Sequence, residues 1–169
     1  MKLAVDLHCD GAEAQAAAVA FDDWAAVEAL KTYSARAAAG DKPARGAVDL
    51  RALPCLLQLL REKALQPELI VMHGFVHLDA QDTPGLGWHL HLALGGRCPV
   101  IGVSKSAMAG GTPAQFEVYR EEEAAPVVVT CIGIDLGAAK ARLRAMHGKR
   151  RVPTLMKLAA RLAKGSADA

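Results

Sequence analysis

A chain of 169 residues with 52% hydrophobic content fits one compact domain with a sizeable core. Aromatic residues make up only 4%, so that core must be built mostly from Ala, Leu and Val. The formal net charge of +2 neither demands nor excludes a nucleic-acid partner, because local patches decide phosphate binding.

The opening MKLAVDL reads as a buried strand over 1–7 and is too short for the apolar region of a signal peptide. Cys9-Asp10-Gly11 is a turn, since Asp-Gly favours the backbone angles of tight hairpins. Strands are expected over 13–21 and 24–33, although their Ala content gives little strand propensity. A loop with Gly40, Pro43 and Gly46 leads to a helix over 49–63, with Leu53, Leu56, Leu57 and Leu60 at helical spacing and Asp49 as its N-cap. ELIVM after Pro67 is a short apolar run and reads as a buried parallel strand.

A loop over 74–84 precedes a helix over 86–94 that Gly95-Gly96 ends. His89 and His91 fall on different faces of that helix. CPVIGV over 98–103 is another buried strand, followed by strands over 116–120 and 126–132. Helices are expected over 135–147 and 153–163, the last amphipathic and basic. The acidic run 121–123 reads as an exposed loop.

No apolar run reaches the roughly 18 residues of a membrane span. Cys9, Cys55, Cys98 and Cys131 lack CxxC spacing, so reduced thiols, a cytoplasmic location and no membrane partner are expected. The whole of 1–169 reads as a single domain: an antiparallel three-strand meander, then parallel strands, in one mixed sheet flanked by helices.

Three segments carry a resemblance to a known family. PVIGVSKS, over 99–106, is very similar to the strand-and-lysine motif of endonuclease V, PTIGVAKS. PELIVMHGFVH, over 67–77, resembles that family's strand and loop PDLVFVDGHGxxH. AVDLHCDG resembles its first catalytic strand, which ends in an Asp within a GxDV-like context. The order and spacing also match, over nearly the whole chain but without the family's helical lead-in. The resemblance implies a ribonuclease H-like α/β fold. It also implies descent from DNA-repair enzymes that cleave DNA or RNA one bond 3′ of a deaminated adenine with magnesium or manganese. Such chemistry needs hard oxygen ligands on divalent ions that activate water and neutralise charge on phosphate.

Carried over residue by residue, the resemblance puts Asp6 at the family's first metal-binding Asp and Lys105 at its motif lysine, which makes these two the candidate catalytic residues. His77 also matches a family motif position. The family's Glu is replaced by Ala52, its second Asp by His73 and its late His by Cys131. The loop Pro43-Ala44-Arg45-Gly46 stands where the family has an aromatic-bearing wedge, and it has no ring to stack on a base. The C-terminal segment 149–154 keeps a Pro-Thr pair but loses the family's Tyr and acidic residue.

The resemblance therefore implies an endonuclease V-like protein that has lost most catalytic carboxylates, a pseudoenzyme with weak nucleic-acid binding or a regulatory role. One carboxylate cannot assemble a two-magnesium site. An alternative is an active hydrolase whose site is rebuilt around Asp6, His73 and Cys131, with His8 or Cys9 nearby. An oxygen, nitrogen and sulfur donor set of that kind suits zinc. His77, Asp79 and Asp82 are either substitute ligands or members of a solvated loop. Lys105, Lys149, Arg150 and Arg151 are the expected phosphate contacts for DNA or RNA, with Arg142, Arg144, Lys157 and Arg161 as further candidates for one basic face. Binding of this kind would be weak and indifferent to inosine.

Overall fold

The computed structural model describes residues 1–120 and 124–165, so the acidic run 121–123 lies outside the described residues. Strands β1 (Lys2–Asp10) and β2 (Glu13–Phe21) pair antiparallel without interruption, from Lys2 opposite Phe21 to Asp10 opposite Glu13. Gly11 makes their turn with φ of +62°. Strand β3 (Lys31–Ala38) completes the meander against β2.

The third strand was expected from residue 24. Instead the Asp23 carboxylate accepts the Ala25 N–H at 2.8 Å and the Asp23 carbonyl accepts the Ala26 N–H at 3.0 Å. This local turn competes with the sheet ladder for the same donors.

Strands β4 (Ile70–His73) and β5 (Val100–Ser104) run parallel to β1, as expected. Strand β7 (Val127–Ile132) departs from the expected parallel run, pairing antiparallel with β5. A parallel neighbour needs a long, usually helical crossover. The described part of the β5–β7 connection has only a 3-10 turn (Ala114–Phe116) and the two-residue strand β6 (Glu117–Val118). The strand expected over 116–120 shrinks to β6. The sheet order is β3-β2-β1-β4-β5-β7-β6.

Helices α1 (Leu53–Glu62) and α2 (Leu86–Ala93) cover one face of this seven-stranded mixed sheet. Helices α3 (Leu136–Ala145) and α4 (Thr154–Ala163) cover the other. Asp49 does not cap α1. Its carboxylate grips the Arg51 guanidinium at 2.7 and 3.0 Å, and the helix begins at Leu53 with Pro54 in its first turn. Asp135 caps α3 by accepting the Ala138 N–H at 3.3 Å.

Burial on both faces explains the composition. On β1, Leu3 and Val5 pack toward α1 while Ala4 packs toward α4, the period of two of a strand. On β2, Ala14, Ala16, Ala18 and Ala20 make a shallow floor under α1, and Val19 and Phe21 fill the opposite side. Tertiary burial thus overrides the weak strand propensity of Ala. Among the described residues, no helix is long and apolar enough to cross a membrane.

One contact fixes how the chain leaves β4. The loop after His73 folds back over β5 at Gly102, and the buried Thr130 hydroxyl on β7 accepts the Val76 N–H at 2.8 Å. A Cβ on Gly102 would lie 2.6 Å from the Gly74 carbonyl oxygen and 2.9 Å from the Val76 nitrogen. The glycine of PVIGVSKS is therefore needed for close backbone approach. Gly102→Ala is expected to lower stability by about 1–3 kcal/mol, the usual cost of overpacking, read as a lower urea midpoint with an unchanged slope.

Candidate functional site

Parallel pairing brings the C-terminal ends of β1, β4 and β5 to one edge of the sheet. Asp6 lies on the face covered by α4, since it is two residues from Ala4. His73 ends β4, and Lys105 follows β5. These three side chains line a cavity of about 680 Å³ closed on its far side by α4 and residues 150–152. The sequence of α4 makes this possible. Leu155, Met156, Ala159 and Ala163 bury one stripe, and Lys157, Arg161 and Lys164 stand on the exposed side facing the cavity. The rest of the lining is Arg150, Arg151, Val152 and Ala160.

Among the described residues, the floor holds the only carboxylate of that lining. Asp6 Oδ1 accepts its neighbour's Leu7 N–H at 2.9 Å. Burial pushes its carboxyl above the ordinary carboxylate value, opposed by the charge of His73, the Leu7 N–H, Lys164 and His8. His73 Nε2 lies 3.2 Å from the Met156 carbonyl oxygen. A carbonyl only accepts, so Nε2 carries the proton, and Nδ1 is the acceptor in the neutral ring.

The basic rim is held by buried and half-buried arginines. Arg120, only 3% exposed, donates to the carbonyls of Leu143, Met146, Gly148 and Arg150 and so ties the end of α3 to the loop carrying the cavity's arginines. Arg151 donates to the carbonyls of Pro126 and, at 2.9 Å, Lys105, joining the rim to the ends of β7 and β5. The expected phosphate contact Arg151 is therefore largely a strap.

Several expected members lie elsewhere. Cys131 does not converge with Asp6 and His73, because β7 is antiparallel to β5 and puts Cys131 opposite Ile101, toward the other end of the sheet. Its thiol donates to the Ile134 carbonyl at 3.2 Å, and burial, with Asp135 nearby, pushes it up and away from the thiolate. Ala52 borders a separate small cavity with Leu7, His8, Cys9, Asp49 and Leu86. Lys149 is exposed and outside the large cavity's lining. Arg142 and Arg144 are outside it too, Arg142 lying over the Trp24 ring at 5.8 Å.

Asp79 organises its own loop by accepting from the Gln81 N–H, the Thr83 N–H and the Thr83 hydroxyl, so it acts as a local cap. Lys164 was missed from the sequence. The spacing of Lys157, Arg161 and Lys164, at i, i+4 and i+7, is the signal that marks it.

This lining does not fit a pair of magnesium or manganese ions. Such ions require several oxygen donors, and among the described residues one carboxylate and one imidazole face six cationic side chains. Among the described residues, no group of three or more His, Cys, Asp and Glu side chains is arranged to hold a metal.

The raised Asp6 carboxyl has a stability consequence. The folded chain holds this proton more tightly than the unfolded chain, so ionised Asp6 costs stability above its raised value, and the cost vanishes as pH falls below the ordinary Asp value. Asn keeps the acceptor for the Leu7 N–H. Asp6→Asn is expected to melt a few degrees above the parent at neutral pH, with the gap closing in acid. Thermal melts across a pH series check this, and equal melting at neutral pH contradicts it.

No protein-family model matches the sequence, and no curated protein does. Solved structures do match. Endonuclease V from Streptomyces avermitilis is 26% identical with a TM-score of 0.74, covering 98% of this chain and 80% of that one. Endonuclease V from Bacillus subtilis is 19% identical with a TM-score of 0.77, covering 97% and 79%. Endonuclease V from Ciona intestinalis, crystallised with a 24mer DNA containing an inosine followed by a ribo-adenosine, is 14% identical with a TM-score of 0.77, covering 99% and 85%. The chain thus has the ribonuclease H-like α/β fold of endonuclease V, and these likenesses support an endonuclease V-family relationship.

Proposed function

We propose that this chain is an endonuclease V-like nucleic-acid-binding protein without metal-dependent cleavage. The observation that carries the reading is the cavity's charge inventory. Among the described residues, Lys105, Arg150, Arg151, Lys157, Arg161 and Lys164 surround one carboxylate, Asp6. Metal-assisted phosphodiester cleavage needs ions that neutralise the developing charge and activate water. A cationic lining repels such ions but attracts phosphate oxygens directly. The Ciona relative's DNA supports nucleic acid as the ligand class.

Binding is weak, salt-sensitive and indifferent to inosine. The loop Pro43-Ala44-Arg45-Gly46 has no aromatic ring, and among the described residues no Phe, Tyr or Trp lines the cavity, so the stacking contribution of about 1–3 kcal/mol per base that such a ring supplies is missing. The alternative, an active hydrolase rebuilt around Asp6, His73 and Cys131, lacks its third ligand because Cys131 lies toward the opposite end of the sheet.

The test is to incubate purified protein with inosine-containing and adenosine-containing DNA and RNA oligonucleotides, with magnesium or manganese. Binding and cleavage are scored together. The expected outcome is no cleavage and equal affinity for the two bases at constant salt. Cleavage 3′ of inosine that disappears in Asp6→Ala overturns the reading, and so does a large preference for inosine.

A further inference from the structure

The cavity's cations are not equivalent. Arg151 is committed to the carbonyls of Pro126 and Lys105, and the Arg150 backbone is held by Arg120. Lys157, Arg161 and Lys164 instead project from the exposed side of α4, whose buried stripe locks the helix to the sheet. At a rise of 1.5 Å per residue, Arg161 and Lys164 stand roughly 6 and 10 Å along the axis from Lys157. Three positive charges thus form a row along one wall, on a rigid element.

That wall faces a recess, not a flat surface. A volume of about 680 Å³ is the size of a small-molecule pocket. A flexible strand can bend its backbone into such a recess, whereas a duplex, stiff over some 150 base pairs, meets only the rim. The α4 wall itself carries cations and no ring, so it reads phosphates and not bases. Asp6, on the floor below, is a negative charge directed at the same ligand.

We propose that α4 is a track for the backbone of single-stranded nucleic acid, gripped by Lys157, Arg161 and Lys164 without any divalent ion and opposed by Asp6. This rests on the nucleic-acid-binding reading above and names the strand form, the gripping residues and the sign of the Asp6 contribution.

The test titrates the full chain with a labelled single-stranded oligonucleotide, its duplex and inorganic polyphosphate, in EDTA, over a range of salt. The variants are Lys157→Gln/Arg161→Gln/Lys164→Gln, a control Arg61→Gln/Lys63→Gln/Arg97→Gln with the same charge change at exposed positions outside the cavity, and Asp6→Asn. All six cations are exposed, and circular dichroism melts verify that each triple variant is folded.

The single strand is expected to bind more tightly than the duplex, in EDTA. The α4 variant is expected to lose about tenfold or more in affinity at low salt. Three lost phosphate contacts lower the slope of log affinity against log salt by about 2. The control is expected to retain the parent slope, and Asp6→Asn to bind several-fold more tightly.

Equal losses in the two triple variants overturn the proposal while leaving nucleic-acid binding standing. Tighter duplex binding, a requirement for a divalent ion, or weaker binding by Asp6→Asn does the same. Binding of polyphosphate alone, or of nothing, overturns both this proposal and the reading on which it rests.

Discussion

The site depends on the close passage of the β4 exit loop over β5. Gly102 has no Cβ, so the Gly74 carbonyl and the Val76 amide can lie against it, and Thr130 takes the Val76 N–H inside the core. This contact ties three neighbouring strands together at the edge where β1, β4 and β5 end. A buried N–H with no acceptor is costly, so the Thr130 hydroxyl and the loop conformation are mutually required. His73, at the end of β4, is positioned as a consequence, and α4 receives it through the Met156 carbonyl.

Electrostatics is the second constraint. Six cations around one cavity repel one another, and the fold answers in two ways. Some are anchored: Arg151 is satisfied by backbone carbonyls, and the buried Arg120 gathers the carbonyls of the 143–150 segment, so the rim is built from carbonyl dipoles as well as charges. Others remain in solvent, where water and salt screen them. Lys157, Arg161 and Lys164 are of this second kind, which leaves their charge available to a ligand. Asp6 sits among these groups with burial opposing its ionisation, and no other carboxylate of the described residues joins it in the lining.

Much of the fold was legible because its signals were local. The boundaries of β2 were read directly from residues 13–21, and the end of α2 at Gly95-Gly96 followed from glycine backbone freedom. The misreadings had local causes too. Asp23 nucleated a turn where a strand was expected, and Asp49 paired with Arg51 instead of capping α1. In both cases a short polar side chain had two bonding options of similar merit, and only the surrounding packing selects between them.

By itself the sequence determined which groups exist: a lone Asp6 where the family resemblance calls for several carboxylates, a loop without aromatics, and a helix with a basic side. It could not determine which of them meet. Cys131 was expected beside Asp6 and His73, but the direction of β7 carried it toward the other end of the sheet. Lys164 was not expected at all, and α4 carried it to the cavity. Strand direction and helix placement follow from how the whole chain buries its two apolar faces at once. That is a sum over contacts between residues far apart in sequence, and no local pattern encodes it.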